Sequence, residues 1–316
     1  MSTAEPAASR SRGELKRCAA WLLYAWMRTI VLLPLRWRLG LGKALGTLVG
    51  ILLPARRRVA ERNLEVCFPE LGPQQRQELL KKHLQSAGAG LTETAMGWFG
   101  SKPAIRRLVR VEGEEHLRRA LAKGRGVILF SGHFTAIELF FPVLELLCPR
   151  LSGMYKPPHN AFMDEVARKG RQRNVPELFP TSGVRMMLKS LAQNAVVWYA
   201  SDQRYTGKYS ALVPFFGEPA MTNTAVSRIA RISGAVVLPF FGRRNADDSG
   251  YVMTIGAPVA GVPSGDRIED TRRLTRALED YVRICPDQYW WVHERFKGRP
   301  EPYADIYERA AAGRPA

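Results

Sequence analysis

Cysteine is scarce in this 316-residue chain: Cys18, Cys67, Cys148 and Cys285 stand far apart, with no CxxC pair. That argues against a disulfide framework, a dithiol redox site or a zinc site, and for reduced thiols in a protein facing the cytoplasm. Acidic residues are also few, 29 against 47 Lys and Arg, for a formal net charge of +18. Zinc-ligand spacing, an RNP motif and a basic zipper are all missing, so nothing beyond charge speaks for nucleic acid. No A-x-A cleavage site follows a clean apolar stretch, which argues against a removable signal peptide. There is no internal repeat, and no low-complexity tract away from the ends.

Apolar residues are not scarce. At 46% of the chain they suffice for a sizeable core, so disorder is excluded as the default. The positive charge invites an anionic partner: a membrane surface, a phosphorylated substrate or an acidic carrier protein. Residues 1–62 hold twelve Lys and Arg against three Glu. There the charges flank apolar segments. "RCAAWLLYAWMRTIVLLPL" gives residues 18–35 with Arg28 as the one charge, and "ALGTLVGILLP" (44–54) runs into "ARRRVAERN". The first is about long enough to cross a bilayer, but a mid-span Arg is costly there, and tryptophan with flanking arginine suits the headgroup zone. The segment 1–58 is therefore expected to be a helical membrane anchor, spanning or interfacial, with Arg56–Arg58 against anionic lipid. A buried helical hairpin is the competing reading.

Residues 59–103 form a helical lead-in, with Pro73 near a helix start. Beyond about 104, apolar β-rich runs alternate with helical ones. Strands are expected at 125–132, 151–157, 194–203, 235–244 and 251–259. Helices are expected at 134–148, 160–174, 183–193, 222–234 and 267–285. Thr222 or Asn223 caps the fourth of these and Gly234 stops it, while Pro142 sits inside the first. The alternation predicts an α/β domain over 59–303, a mostly parallel central sheet flanked by helices, followed by a tail at 304–316. Ligands of such sheets sit beyond the carboxyl ends of the strands.

At one such end "FSGHFTAIELFF" (130–141) puts His133 and Glu138 into an apolar run, where buried polar groups need partners. A glutamate accepting from one ring nitrogen leaves the other free to take a proton from a substrate hydroxyl, which then attacks an acyl carbon. The same base could instead activate water, as in a thioester hydrolase. Arg171, in the basic run Arg168–Arg173, can face a developing oxyanion or an acceptor phosphate. Asp202, at a strand end, can orient Arg171 or bind acceptor hydroxyls. Tyr155 and Lys156 end another strand and can line the cleft, with Lys156 toward phosphate. His83, His116 and His159 read as surface groups, and His293, within "YWWVHERFK", as part of a packed or interfacial aromatic segment. The phenylalanines of "VPFFG" (213–217) and "LPFFG" (238–242) read as core, with an acyl tunnel as the rarer use.

H-x4-D/E after an apolar strand marks the glycerolipid-type acyltransferases. Within them this chain resembles the lipid A biosynthesis lauroyl/myristoyl acyltransferases, from its N-terminus to about residue 303. The resemblance is carried by "RNLEVCFPEL" (62–71), "SGHFTAIEL" (131–139), "MYKPPHNAFMDEVARKGRQRN" (154–174), "WYASDQRYTGKYSALVPFFGEPAMTNT" (198–224) and "QYWWVHERFKGRP" (288–300). It implies transfer of a fatty acyl group from acyl carrier protein to an acyl-chain hydroxyl on a phosphorylated disaccharide lipid, at the cytoplasmic face of the inner membrane. His133 would be the general base, Glu138 its orienting partner, and Arg171 and Asp202 essential; no metal or redox cofactor is expected. Where the family often carries "YAPDQDYG", Asp202 and Gln203 are kept, but Arg204 replaces an acidic residue. Other lipid acceptors, such as a phosphoglycolipid, ornithine lipid or aryl polyene lipid, remain open at this point.

Overall fold

The computed structural model describes residues 7–148, 150–155, 157 and 160–308. The chain opens with helices α1 (Ala7–Ile30), α2 (Leu35–Leu52), α3 (Pro54–Cys67), α4 (Pro73–Phe99) and α5 (Lys102–Leu108). Proline in the first turn starts α3, α4 and α5, where its missing N–H costs nothing. There follow β1 (Val109–Glu112), α6 (Glu114–Leu121), β2 (Val127–Ser131), α7 (Ile137–Leu147), β3 (Leu151–Tyr155), α8 (Ala161–Gln172), β4 (Glu177–Pro180), α9 (Val184–Ala192) and β5 (Val196–Ala200). The remainder is β6 (Ser210–Phe215), β7 (Glu218–Asn223), α10 (Ala225–Ser233), β8 (Val236–Arg244), β9 (Tyr251–Ile255) and α11 (Arg267–Ile284).

Seven strands make one sheet in the order β1-β9-β8-β2-β5-β3-β4. The five from β8 to β4 are mutually parallel, while β9 runs against β8 and carries β1 parallel to itself. The expected mostly parallel sheet is therefore present, with a reversed pair at one edge. Central β2, "VILFS", is buried throughout, as a strand covered on both faces must be. Phe215 and Phe240 are fully buried, so both "PFFG" segments serve the core.

The sequence pattern missed the β6–β7 hairpin. Its two-residue turn, Phe216–Gly217, has positive φ at both positions (53° and 81°), the geometry that matches strand twist. Phenylalanine is a rare occupant of that turn, so the usual Asn-Gly or Asp-Gly signal is absent. Helix α10 begins at Ala225, because Thr222 and Asn223 complete β7; the Asn223 side chain nonetheless accepts from the Ala225 amide at 2.9 Å, and Gly234 ends the helix at φ 70°.

Helix α2 packs along α4 at glycine positions. A Cβ on Gly46 would lie 2.1 Å from the Leu84 carbonyl oxygen, and one on Gly88 would lie 2.1 Å from that of Gly42. Among the described residues no single helix is long and apolar enough to cross a membrane. The apolar stretch 18–35 is broken between α1 and α2, and the pair α2–α3, apolar enough together, bends by 99°. Many apolar side chains of this region are nonetheless exposed: Trp21, Leu22, Leu32, Trp37, Ile51 and Leu52 are each more than half exposed.

Candidate active site

The parallel pairing of β2 with β5 sets Ser131 opposite Ala200. His133 and Asp202 each lie two positions beyond that pair, so equal continuation past two carboxyl ends brings them together. The Asp202 carboxylate accepts from His133 twice: Oδ1 lies 2.6 Å from Nδ1, and Oδ2 lies 2.7 Å from the backbone nitrogen. Asp202 is buried, whereas about a third of the His133 side chain is open. Burial pushes the Asp202 pKa up, but the His133 charge and hydrogen bonds, helped by the Tyr289 hydroxyl, outweigh it and hold the group down at about 2. For His133 burial acts downward, and the Asp202 charge and hydrogen bond overcome it, so its pKa rises above the ordinary value. With Nδ1 committed to Asp202, Nε2 is left to exchange a proton. Among the described residues no Ser, Thr or Cys side chain hydrogen-bonds to the imidazole.

Glu138 is not the partner of His133, which corrects the pairing expected from their spacing. In the first turn of α7 it is buried and engaged elsewhere. Its Oε1 accepts from Arg171 Nε at 2.6 Å and also from Arg171 Nη2, and its Oε2 accepts from Trp98 Nε1 at 2.8 Å. Of the two roles open to Asp202 from the sequence, orienting Arg171 is not seen; Glu138 holds that guanidinium instead. The reason is local. His133 precedes α7 and follows the strand direction toward β5, while Glu138 turns with the helix toward α8 and α4. Gly97 permits this closeness, since a Cβ there would sit 2.3 Å from the Glu138 carbonyl oxygen. Pro142, four residues on, has no N–H to offer that carbonyl.

Tyr155, at the end of β3, lies with its ring 5.4 Å from the Arg171 guanidinium and its hydroxyl 2.5 Å from Asp164 Oδ1. Gln203 is exposed and lines the small cavity beside His133. Lys156 and His159 lie outside the described residues. His83, expected at the surface, is fully buried, with Nδ1 3.3 Å from the Asp287 carbonyl, and burial depresses it to about 4. His116 is half-buried.

The C-terminal aromatic segment supplies most of what the sequence did not reveal. Trp290 N donates to the His133 carbonyl at 2.9 Å, and Thr135 N to that of Gln288 at 2.9 Å, a short antiparallel splice across the 133–135 loop. Asn63 Nδ2, from α3, donates to the carbonyls of Trp291 (2.6 Å) and His293 (2.9 Å). His293 thereby comes to line the same small cavity as His133, Asp202, Tyr289 and Arg295. Beside it, an apolar groove of about 440 Å³ runs between α2 and α4, lined by Leu45, Val49, Leu53, Leu84 and Leu91. Trp290 and His293 border both spaces. Exposed Arg56 and Arg57 stand at the groove, and exposed Arg204 follows Gln203.

A carboxylate-held histidine with one free nitrogen, and among the described residues no side-chain nucleophile bonded to it, stands beside an apolar groove, an arrangement able to take a proton from a hydroxyl or from water. The model of the family described as bacterial lipid A biosynthesis acyltransferase matches residues 6–298, and the chain belongs to that family. It is 36% identical to the lipid A biosynthesis lauroyltransferase of Escherichia coli K12 over 283 residues, covering 89% of this chain and 92% of that protein. It is 33% identical to the palmitoleoyltransferase of the same strain over 268 residues (84% and 87%), and 24% identical to its myristoyltransferase over 291 residues (92% and 90%). The protein is accordingly an acyl-transferring enzyme.

Proposed function

We propose that this protein moves a fatty acyl group from acyl carrier protein to a hydroxyl of a lipid A precursor, at the cytoplasmic face of the inner membrane. The observation that carries the reading is the His133–Asp202 pair at the carboxyl ends of β2 and β5, within a chain of this family. His133 Nε2 takes the acceptor hydroxyl proton as that oxygen bonds to the thioester carbon. The carbonyl electron pair moves onto oxygen, then returns as the C–S bond breaks, and His133 gives its proton to the leaving thiolate. Glu138 acts at one remove: it fixes Arg171, whose remaining donors suit an acceptor phosphate. The groove between α2 and α4 suits an acyl chain, and the arginines at its mouth suit an acidic carrier.

Mass spectrometry of lipids from cells with and without the gene tests the acceptor. Expression should add one acyl chain to lipid A species. A mass change confined to ornithine lipid or another lipid would overturn the acceptor assignment, and released fatty acid alone would favour hydrolysis.

Membrane attachment is supported by the exposed apolar residues of α1 and α2 beside Arg36 and Arg56–Arg58. Trp37→Glu combined with Ile51→Glu should release the protein from vesicles containing anionic lipid, read by co-sedimentation. Undiminished binding of the double variant would mean that another surface holds the membrane.

A further inference from the structure

Acyl transfer places a negative charge on the thioester oxygen, and the groups already described do not meet it. The His133 amide is spent on Asp202, and two of the Arg171 donors on Glu138. A fixed neutral donor beside His133 is wanted, because a preorganised hydrogen bond at the point where charge develops is among the larger contributions to catalysis.

His293 meets that description. Its backbone is anchored on two sides, the carbonyl accepting from Asn63 Nδ2 at 2.9 Å and from the Arg295 amide at 2.8 Å. Its ring Nε2 lies 3.2 Å from the Arg204 amide. A backbone N–H can only donate, so Nε2 must be the acceptor nitrogen and the ring proton must sit on Nδ1. Among the described residues Nδ1 has no hydrogen-bond partner. Burial and the neighbouring positive charges hold the ring neutral, with a pKa pushed down to about 4 despite the pull of Asp202. A neutral imidazole with its tautomer fixed is a known kind of electrophilic donor. The placement is specific as well: His293 borders both the cavity shared with His133 and the apolar groove, the junction at which an acyl chain in the groove would present its thioester.

We propose that His293 is a second catalytic histidine, whose Nδ1–H donates a hydrogen bond to the thioester carbonyl oxygen as it becomes the oxyanion. The hydroxyl proton goes to His133 and the oxygen charge is held by His293. No proton leaves His293, which keeps the same tautomer before and after the C–S bond breaks. This rests on the acyl-transfer reading, and the unmodified protein, assayed alongside, tests that reading separately.

Two near-isosteric variants separate a catalytic role from a structural one. Asparagine puts an N–H where Nδ1 stands but cannot reach the Arg204 amide. Glutamine reaches that amide with its carbonyl oxygen but leaves the Nδ1 position empty. With a purified acyl-carrier thioester and a phosphorylated glycolipid acceptor, His293→Ala and His293→Gln should lose about 100-fold or more in kcat, while KM for the thioester changes little. His293→Asn should keep most of the activity. Thermal unfolding of all three establishes that they fold, and if the alanine variant does not, the Asn–Gln comparison still decides. Glutamine outperforming asparagine, or an asparagine variant as impaired as an impaired glutamine one, would overturn the proposal and leave His293 a support for the Arg204 loop. So would a folded alanine variant with kcat within a few-fold of the unmodified protein.

Discussion

His133→Ala should abolish nearly all acyl transfer, by about 10²–10⁴-fold in kcat, and leave the fold unchanged. On the proposed mechanism the size follows from removing the group that would receive the hydroxyl proton, since a neutral alcohol attacks a thioester slowly and the described site holds no second base bonded to the same point. The fold should survive because the His133 side chain is partly open and makes one hydrogen bond, while the backbone contacts of this loop, to Trp290 and Asp202, do not need the imidazole. The buried Asp202 carboxylate loses one partner but keeps the His133 amide and the neighbouring Tyr289 hydroxyl. A modest drop in thermal stability is therefore expected, not unfolding.

Asp202→Asn should lower kcat/KM by a comparable factor and also move its pH dependence. On the proposed mechanism His133 acts as the neutral base, so the rate should rise as pH climbs through its pKa, which Asp202 holds above the ordinary histidine value. An amide carries no charge, so the upward pull disappears while the burial that lowers the pKa stays. The acid limb of the profile should shift to lower pH even as the plateau falls. The plateau falls because an amide can offer Nδ1 an N–H instead of a lone pair, which favours the tautomer whose Nε2 already carries a proton. Glu138→Gln gives the contrast. Glu138 touches Arg171 and Trp98, not the imidazole, and acts on His133 only by charge at a distance, so the acid limb should move less there. Equal shifts for the two variants would contradict the assignment of Asp202 as the partner.

Both the histidine and the two carboxylates were legible in the sequence; their pairing was not. Spacing along the chain favours Glu138, five residues from His133, whereas the contact is made across sixty-nine residues by the register of two parallel strands. The signal was present in weak form. "ILFSGH" and "VWYASD" are apolar runs leaving the sheet at the same distance from their polar residue, and adjacency of those strands would have predicted the pair. Strand order, however, is set by how helices cover both faces, which no local pattern states. His293 was hidden for a related reason. Its neighbours "YWWVHERFK" satisfy every expectation of a packed segment, and the segment is packed, with Trp291 and Phe296 almost fully buried. What makes the imidazole part of the site is the splice of residues 288–290 onto the 133–135 loop and the reach of Asn63 from α3.

The N-terminal region shows the opposite case. Its apolar composition was plain, yet composition does not distinguish a span from an interfacial surface or from packing. The glycines decide part of it, because Gly42, Gly46 and Gly50 seat α2 against α4 while Trp37, Leu48, Ile51 and Leu52 stay exposed on other faces of the same helix. A further piece was legible only after folding. Glu93 and Arg244 form a buried ion pair at 2.6 Å, with Ser86 bonded to the same guanidinium and to Thr135 in the loop that carries His133. They stand 151 residues apart in the chain, and no local pattern joins them.

The most direct test of the central claim is a single-turnover assay with labelled acyl-carrier thioester and a phosphorylated glycolipid acceptor, comparing the unmodified protein with folded His133→Ala. Label should move to the glycolipid with the first and stay on the carrier with the second. Label reaching the glycolipid at a near-normal rate in the variant would show that His133 is not the base, and the proposed chemistry would be wrong.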